Sequence, residues 1–140
     1  MLGDKKRVPI VEGIFTWPSE DPRLIAGKCK SCGALTFPKM PICPNPECDD
    51  KLNVEEVLLS KRGKLWSWTI QRYQPPAFRM AEPFKPFGIG IVEIPEGLRI
   101  VGMLTTTEGL RIGMDVELVI EKLYEDEEKE YLTYKWKPIY

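Results

Sequence analysis

At 140 residues the chain has the length of one domain or of two small modules, which excludes a large (β/α)₈ barrel enzyme. Its 20 basic and 21 acidic side chains give a net charge of −1, so it lacks the basic excess of a typical nucleic-acid-binding protein. The sequence contains no histidine, which excludes Ser-His-Asp and Cys-His catalytic sites and metal sites with histidine ligands.

The first 24 residues are predicted to form an N-terminal lead-in. Pro9 and Pro18 interrupt its apolar stretch, which has no sustained helical periodicity. The basic residues 5–7 (KKR) are of a kind that usually forms a solvated tail. In the whole chain, 13 prolines and 11 glycines favour short strands and loops over long helices. The sequence therefore predicts a mainly β protein.

The four cysteines lie within twenty residues and form two short-spaced pairs. They are Cys29 and Cys32, then Cys43 and Cys48. Two such turns facing each other present four thiolates tetrahedrally, as in a zinc ribbon, and Gly33 suits a turn that needs positive φ. We predict a rubredoxin-like zinc ribbon over residues 25–51. Its single Zn²⁺ would be structural, because four protein ligands leave no position for substrate or water.

Other interpretations of the cysteines stay open at this point. The second pair has four intervening residues instead of the usual two, and spacing alone does not distinguish zinc from iron. Two disulfides would need an oxidising compartment, and a catalytic dithiol would open a helix, which Pro44 and Pro46 disfavour. No apolar run reaches the roughly 18 residues of a membrane span, and residues 1–10 lack the apolar stretch of a signal peptide. We therefore expect a cytoplasmic protein with no membrane partner.

Residues 52–140 are predicted to form a small β-barrel. Six segments are rich in β-branched and aromatic residues or alternate between apolar and polar residues, and tight turns join them. They are residues 54–60, 64–70, 87–94, 98–105, 116–124 and 131–136. The number and length of these strands favour an OB-fold. An SH3-like barrel or a small sandwich would have a similar number of strands.

The segment between the second and third of these strands, residues 73–86, combines four prolines with several aromatic residues. Its prolines forbid a regular helix or a central strand, and a long loop with its own apolar residues is more often functional than accidental. The candidates for contact with a partner or ligand are Tyr73, Phe78, Arg79, Phe84 and Lys85. Alternatively, the aromatic residues of this loop cap the open end of the barrel.

Trp66 and Trp68 lie two residues apart in the strongest predicted strand and are expected to share one face of it. Stacking on nucleic-acid bases is one interpretation, since OB-folds use aromatic residues in this way. The balanced charge and the absence of a basic stripe favour core packing or an interface instead.

Four segments, in this order, resemble the acyl-CoA-associated zinc-ribbon/OB-fold family. They are residues 27–33 (GKCKSCG), 37–44 (FPKMPICP), 60–69 (SKRGKLWSWT) and 111–116 (RIGMDV). The resemblance covers roughly residues 25–140, and the chain departs from the family in its longer second cysteine turn and its short N-terminal region. Its length and N-terminal region are similar to those of the small subunit of a two-component thiolase in aromatic acyl-CoA degradation.

The resemblance implies a non-catalytic accessory subunit of a hetero-oligomer with a thiolase-fold large subunit, or in some members with an aldolase or a hydroxymethylglutaryl-CoA synthase. The barrel would lie near the partner's acyl-CoA entrance, with acyl-CoA bound by the partner. The residues agree, because acyl transfer from a thioester needs a nucleophile and a base, and here histidine is absent and the cysteines are assigned to metal. The alternatives are an OB module that binds single-stranded nucleic acid, an acyl-CoA aldolase subunit and a free-standing acyl-CoA carrier.

Overall fold

The computed structural model describes residues 6–74 and 83–140, which form nine β-strands in two sheets. No helix within these two ranges is long and apolar enough to cross a bilayer. The strands are β1 (Lys6–Pro9), β2 (Ile25–Cys29), β3 (Leu35–Thr36), β4 (Val54–Leu58), β5 (Arg62–Gln71), β6 (Phe87–Glu93), β7 (Arg99–Leu104), β8 (Asp115–Glu125) and β9 (Lys129–Pro138).

Strands β5 to β9 close into a five-stranded barrel. Around the barrel the order is β9-β7-β6-β5-β8, and β8 pairs again with β9. β7 and β9 run parallel, whereas the other neighbours are antiparallel. Counted from β5, this order is 1-2-3-5-4-1, the arrangement of an OB-fold. The structure thus confirms the predicted mainly β fold with an OB barrel.

The ribbon has its own three-stranded antiparallel sheet, in the order β3-β2-β4. β4 pairs with β2 along its whole length, from Ile25 opposite Leu58 to Cys29 opposite Val54. The first of the six predicted strands, residues 54–60, therefore belongs mostly to the sheet of the ribbon.

One buried core lies across both sheets. In the barrel it contains Trp136 and Leu65, which are fully buried, and it continues to Leu24 and Ala26 at the start of the ribbon. Phe15 of the N-terminal region, only 3% exposed, belongs to the same cluster. The ribbon and the barrel are therefore packed together through shared apolar contacts.

The N-terminal region also adds a strand to the barrel sheet. β1 runs parallel to β9, from Lys6 opposite Lys129 to Pro9 opposite Leu132. The strand is short, and its first two side chains are exposed. β1 thereby covers part of the β9 edge that β7 leaves unpaired.

Candidate metal centre and partner-binding face

The four cysteine sulfur atoms meet beside β2, where all four Sγ atoms lie within 4.8 Å of one another. Cys29 Sγ lies 3.7 Å from Cys48 Sγ, and Cys32 Sγ lies 3.5 Å from Cys43 Sγ. A tetrahedral zinc ion with Zn–S bonds of about 2.3 Å holds its sulfur ligands about 3.8 Å apart. These separations exceed an S–S bond of about 2.05 Å. The donor set fits one four-coordinate metal ion and not two disulfides.

The first cysteine turn is closed by backbone hydrogen bonds. The Gly33 N–H donates to the Cys29 carbonyl over 2.9 Å, and the Cys29 N–H donates to the Ala34 carbonyl over 2.9 Å. Gly33 has φ +81°, a left-handed conformation that glycine adopts without steric cost. The glycine after the first pair therefore has the role expected from the sequence.

The second, longer turn is ordered by Asn45. The Cys48 N–H donates to the Asn45 carbonyl over 3.1 Å, and Asn45 Oδ1 accepts the N–H of Glu47 over 3.0 Å. The Lys51 side chain also donates to the Asn45 carbonyl, and the Cys43 N–H donates to the Lys51 carbonyl over 2.8 Å. The four-residue spacing thus forms a compact turn that still faces the first pair.

The environments of the thiols shift their pKa values in opposite directions. A hydrogen bond from the Ala34 backbone is the largest factor that lowers the pKa of Cys32 to about 6. Burial is the main factor that raises the pKa of Cys43. The Asp50 backbone lowers the pKa of Cys48, but burial and the three other sulfur atoms raise it to about 12. Since metals bind thiolates, metal binding at this site must release protons from the buried thiols.

A small polar network lies next to the sulfur atoms. Asp50 Oδ2 accepts hydrogen bonds from Ser31 Oγ at 2.6 Å and from Asn53 Nδ2 at 2.9 Å, and these bonds lower the pKa of Asp50. The spacing of the cysteines does not point to these three residues. What the sequence does show is that all three are polar residues that lie within a cysteine turn or a few residues after one.

A second candidate surface is the outer face of β6 and β7, which is apolar. Ile91 lies opposite Val101, and Ile89 lies opposite Met103. Val101 is 56% exposed. A cavity of about 380 Å³ opens on this face. Its apolar walls include Phe87, Ile89, Val101, Met103 and Leu123. In OB-folds this face of the second and third strands is the ligand-binding face.

Trp66 lies beside this outer face, where its indole is exposed and is held in place by Arg99. The pairing of β5 with β6 shifts register between Leu65 and Ser67, so Trp66 occupies a β-bulge. The Arg99 guanidinium carbon lies 4.0 Å from the centre of the indole, and Arg99 Nε donates to Glu93 over 3.0 Å.

The exposure of the two tryptophans tests the expectation that they pack in the core. Trp66 is 47% exposed and Trp68 is 37% exposed. The expectation of core packing is therefore wrong for both, because each side chain keeps a large part of its surface in contact with solvent. The interpretation of this strand as part of an interface is compatible with that exposure.

The structure describes three of the five candidate loop residues, whereas Phe78 and Arg79 lie outside the described residues. Phe84 packs edge-on against Phe87, with ring centres 6.1 Å apart. Tyr73 is 70% exposed, and Lys85 is exposed. Phe84 therefore lies next to the apolar outer face through its contact with β6.

Both halves of the chain match known domain families. Residues 18–55 match the ChsH2 rubredoxin-like zinc ribbon domain. Residues 56–121 match the ChsH2 C-terminal OB-fold domain. The chain belongs to the ChsH2/DUF35 family. The resemblance inferred from the four sequence segments is thereby confirmed.

Relatives of this ChsH2/DUF35 chain include named subunits of larger assemblies. A DUF35 domain-containing scaffold protein of Pyrococcus furiosus is 41% identical over 121 residues, 84% of each chain. The benzoylsuccinyl-CoA thiolase subunit BbsA of Thauera aromatica is 31% identical over 84% of this chain and 78% of that protein. The solved Ltp2-ChsH2(DUF35) aldolase superposes with a TM-score of 0.61 at 27% identity, over 83% of this chain and 84% of that chain.

Proposed function

We propose that the chain is a non-catalytic, zinc-binding scaffold subunit of a two-component thiolase complex in the cytoplasm. Cys29, Cys32, Cys43 and Cys48 hold one structural Zn²⁺, and a thiolase-fold large subunit docks on the barrel. The relationship to BbsA, which extends through both domains, supports this class of partner. A reducing compartment keeps the four thiols available for metal.

The observation that carries the docking role is the exposed apolar face next to Trp66. Aromatic residues are typical anchors of protein interfaces. The indole lies over Arg99, which is itself bound to Glu93, so the side chain loses little conformational freedom on binding. Val101 extends the apolar surface, because it is 56% exposed on β7, the strand that also carries Arg99. This arrangement suits an apolar surface of a partner protein.

The charges around the barrel disfavour nucleic acid as the occupant of the same face. The loop between the fourth and fifth barrel strands borders the ligand face of an OB-fold. Here that loop connects β8 to β9, and its three residues, 126–128, together with Glu125 at the end of β8, read EDEE. Four carboxylates at this position repel a phosphate backbone, which binds to proteins mainly through lysine and arginine.

Catalysis is assigned to the large subunit. The chain has no histidine, and its four cysteines are gathered at the metal centre, so it lacks the usual base and thiol nucleophile for acyl transfer. The large subunit binds the acyl-CoA, and the proposed substrates include an aromatic acyl-CoA. The barrel helps to shape the acyl-CoA channel of the complex. The loop of residues 73–86 also contacts the large subunit, through Tyr73, Phe78, Arg79, Phe84 and Lys85.

A second candidate is the small subunit of an acyl-CoA aldolase. The likeness to the Ltp2-ChsH2(DUF35) aldolase, at a TM-score of 0.61, favours it. Both candidates use the barrel as a docking module, but the partner and the reaction differ. A thiolase cleaves a β-ketoacyl-CoA with a second CoA, whereas an aldolase cleaves a β-hydroxyacyl-CoA without one.

The experiment that separates them begins with purification of the tagged full-length chain from its native cells. Mass spectrometry identifies the large chain, and the purified complex is assayed on both classes of substrate. We expect a thiolase-fold protein and cleavage that requires CoA. Cleavage of a β-hydroxyacyl-CoA without CoA would establish the aldolase alternative. A shift of single-stranded DNA by the isolated chain at physiological salt would contradict both.

A further inference from the structure

A side-chain hydrogen bond outside the sulfur cluster joins the two cysteine turns. Ser31 lies between Cys29 and Cys32 in the first turn, and Asp50 follows Cys48 by two residues. Ser31 Oγ donates to Asp50 Oδ2 over 2.6 Å, a contact across 19 residues of sequence. The distance is typical of a hydrogen bond between a hydroxyl and a carboxylate. The first turn is therefore tied directly to the chain that leaves the second turn.

Asn53 completes the connection from the other side. Its Nδ2 donates to the same oxygen of Asp50 over 2.9 Å and lies 3.3 Å from Ser31 Oγ. Its carbonyl accepts the N–H of Lys30 over 2.8 Å. Asn53 immediately precedes β4, which pairs with the strand that carries Cys29. The network therefore links both turns to the sheet of the ribbon.

The backbone of Asp50 also contacts one of the ligand atoms. Its carbonyl oxygen lies 3.9 Å from the sulfur of Cys29. Cys29 belongs to the first cysteine pair, whereas Asp50 follows the second pair. The Asp50 carboxylate is not one of the four clustered donor groups, so it acts beside the ligand set and not within it.

We infer that Asp50 is a positioning residue for the metal, which locks the two cysteine turns at the separation that four sulfur atoms need around one ion. The inference rests on the zinc site of the proposed function. Removal of the carboxylate leaves all four sulfur atoms in the chain but frees the turns to move apart. Partners that hydrogen-bond directly to metal ligands change metal affinity by about 10- to 100-fold when they are replaced. The Asp50 carboxylate acts on the turns and not on a sulfur atom, so its effect should fall at the lower end of that range.

The test is the rate at which the zinc-loaded, full-length chain releases zinc to excess chelator, followed with a colorimetric zinc indicator. Asp50→Ala is expected to release zinc about tenfold faster than the wild type, because the loss of affinity falls on the dissociation step. Asp50→Asn retains an oxygen that can accept the Ser31 hydrogen bond, so its rate of zinc release should be close to that of the wild type. Asp49→Ala, which removes the adjacent exposed carboxylate outside this network, is the matched control and should release zinc at the wild-type rate.

The absorption spectrum of the Co²⁺-substituted chain supplies a readout that a general loss of stability does not move. Asp50→Ala should alter the visible bands of the tetrahedral site, whereas Asp49→Ala should leave them unchanged. Wild-type release and a wild-type spectrum in Asp50→Ala would overturn the inference. Should Asp50→Ala fail to fold, Ser31→Ala decides: faster release supports the inference, and the wild-type rate overturns it. A wild-type chain that contains no zinc would instead overturn the metal assignment of the proposed function.

Discussion

Cys48 is a suitable residue for testing the candidate metal site. Its side chain is only 8% exposed, and its sulfur lies 3.7 Å from that of Cys29. Cys48→Ser should lower the zinc content from one ion per chain to nearly none, since a serine hydroxyl is a poor replacement for a thiolate ligand. Elemental analysis of both proteins measures this directly. Iron in the wild type, or full zinc content in the variant, would contradict the assignment.

Trp66 is the proposed aromatic anchor of the docking face. Trp66→Ala should weaken association with the large subunit by about 2 kcal/mol, roughly thirtyfold, as truncation of an aromatic anchor does. Its melting temperature should change little, because the side chain is 47% exposed. Binding is measured by titration of the purified large subunit.

Tyr140→Ala is the matched control for Trp66→Ala, since Tyr140 is an exposed aromatic residue (81%) outside the apolar face. It should bind the large subunit at wild-type strength. Wild-type affinity in a folded Trp66→Ala protein would remove the case for this face.

At the scale of a single element, β5 depends on the small size of Gly63. A Cβ atom there would lie 2.6 Å from the Glu93 carbonyl oxygen and 2.7 Å from Val92 Cγ1. This carbonyl belongs to β6, and β5 pairs with β6 at Lys64. The carbonyl can therefore move away from a new side chain only if the pairing of the two strands is disturbed. Gly63→Ala should cost about 1–3 kcal/mol of stability, seen as a lower melting temperature.

Lys64→Ala is the control for this strand, because it replaces an adjacent exposed side chain whose ion pair with Asp115 is of a kind that contributes little. Its melting temperature should stay close to that of the wild type. Equal melting temperatures of Gly63→Ala and wild type would show that the strands accept a side chain at this position.

Local pattern was enough to predict most strands of the barrel. The alternation and aromatic content of residues 64–70 and 87–94 predicted β5 and β6 within two residues of their ends, because these signals depend on neighbours in sequence. β1 was missed, since its four residues carry no alternation and it pairs with a strand that begins at Lys129. Closure through the parallel pairing of β7 with β9 likewise depends on contacts between distant segments.

The candidate metal centre was likewise predictable only where its signal is local in sequence. The cysteines were predictable because each pair lies on one short turn and its spacing is visible in the sequence. The network of Ser31, Asp50 and Asn53 was not predictable, since its hydrogen bonds span up to 22 residues and such polar residues are common in turns. The exposure of Trp66 depends on a bulge, which an alternating pattern does not reveal.

For the whole molecule, the shared core predicts that metal and barrel are coupled. β2 carries Cys29 at one end, while Ala26 near its other end belongs to the same core as Trp136. Removal of zinc should therefore lower the melting temperature of the barrel as well as that of the ribbon, in one cooperative transition. Near-ultraviolet circular dichroism reports the packing of the aromatic side chains, among which Trp136 is fully buried in the barrel. An unchanged aromatic transition after chelation would show that the two parts unfold independently.

The most direct test of the account is reconstitution of the thiolase reaction. The large subunit is purified alone, and the rate of CoA-dependent cleavage of a β-ketoacyl-CoA is measured with and without the zinc-loaded chain. We expect the chain alone to be inactive, the two proteins to form a stable complex, and full activity to require both. A large subunit that is fully active alone, or that forms no complex with this chain, would contradict the proposed function.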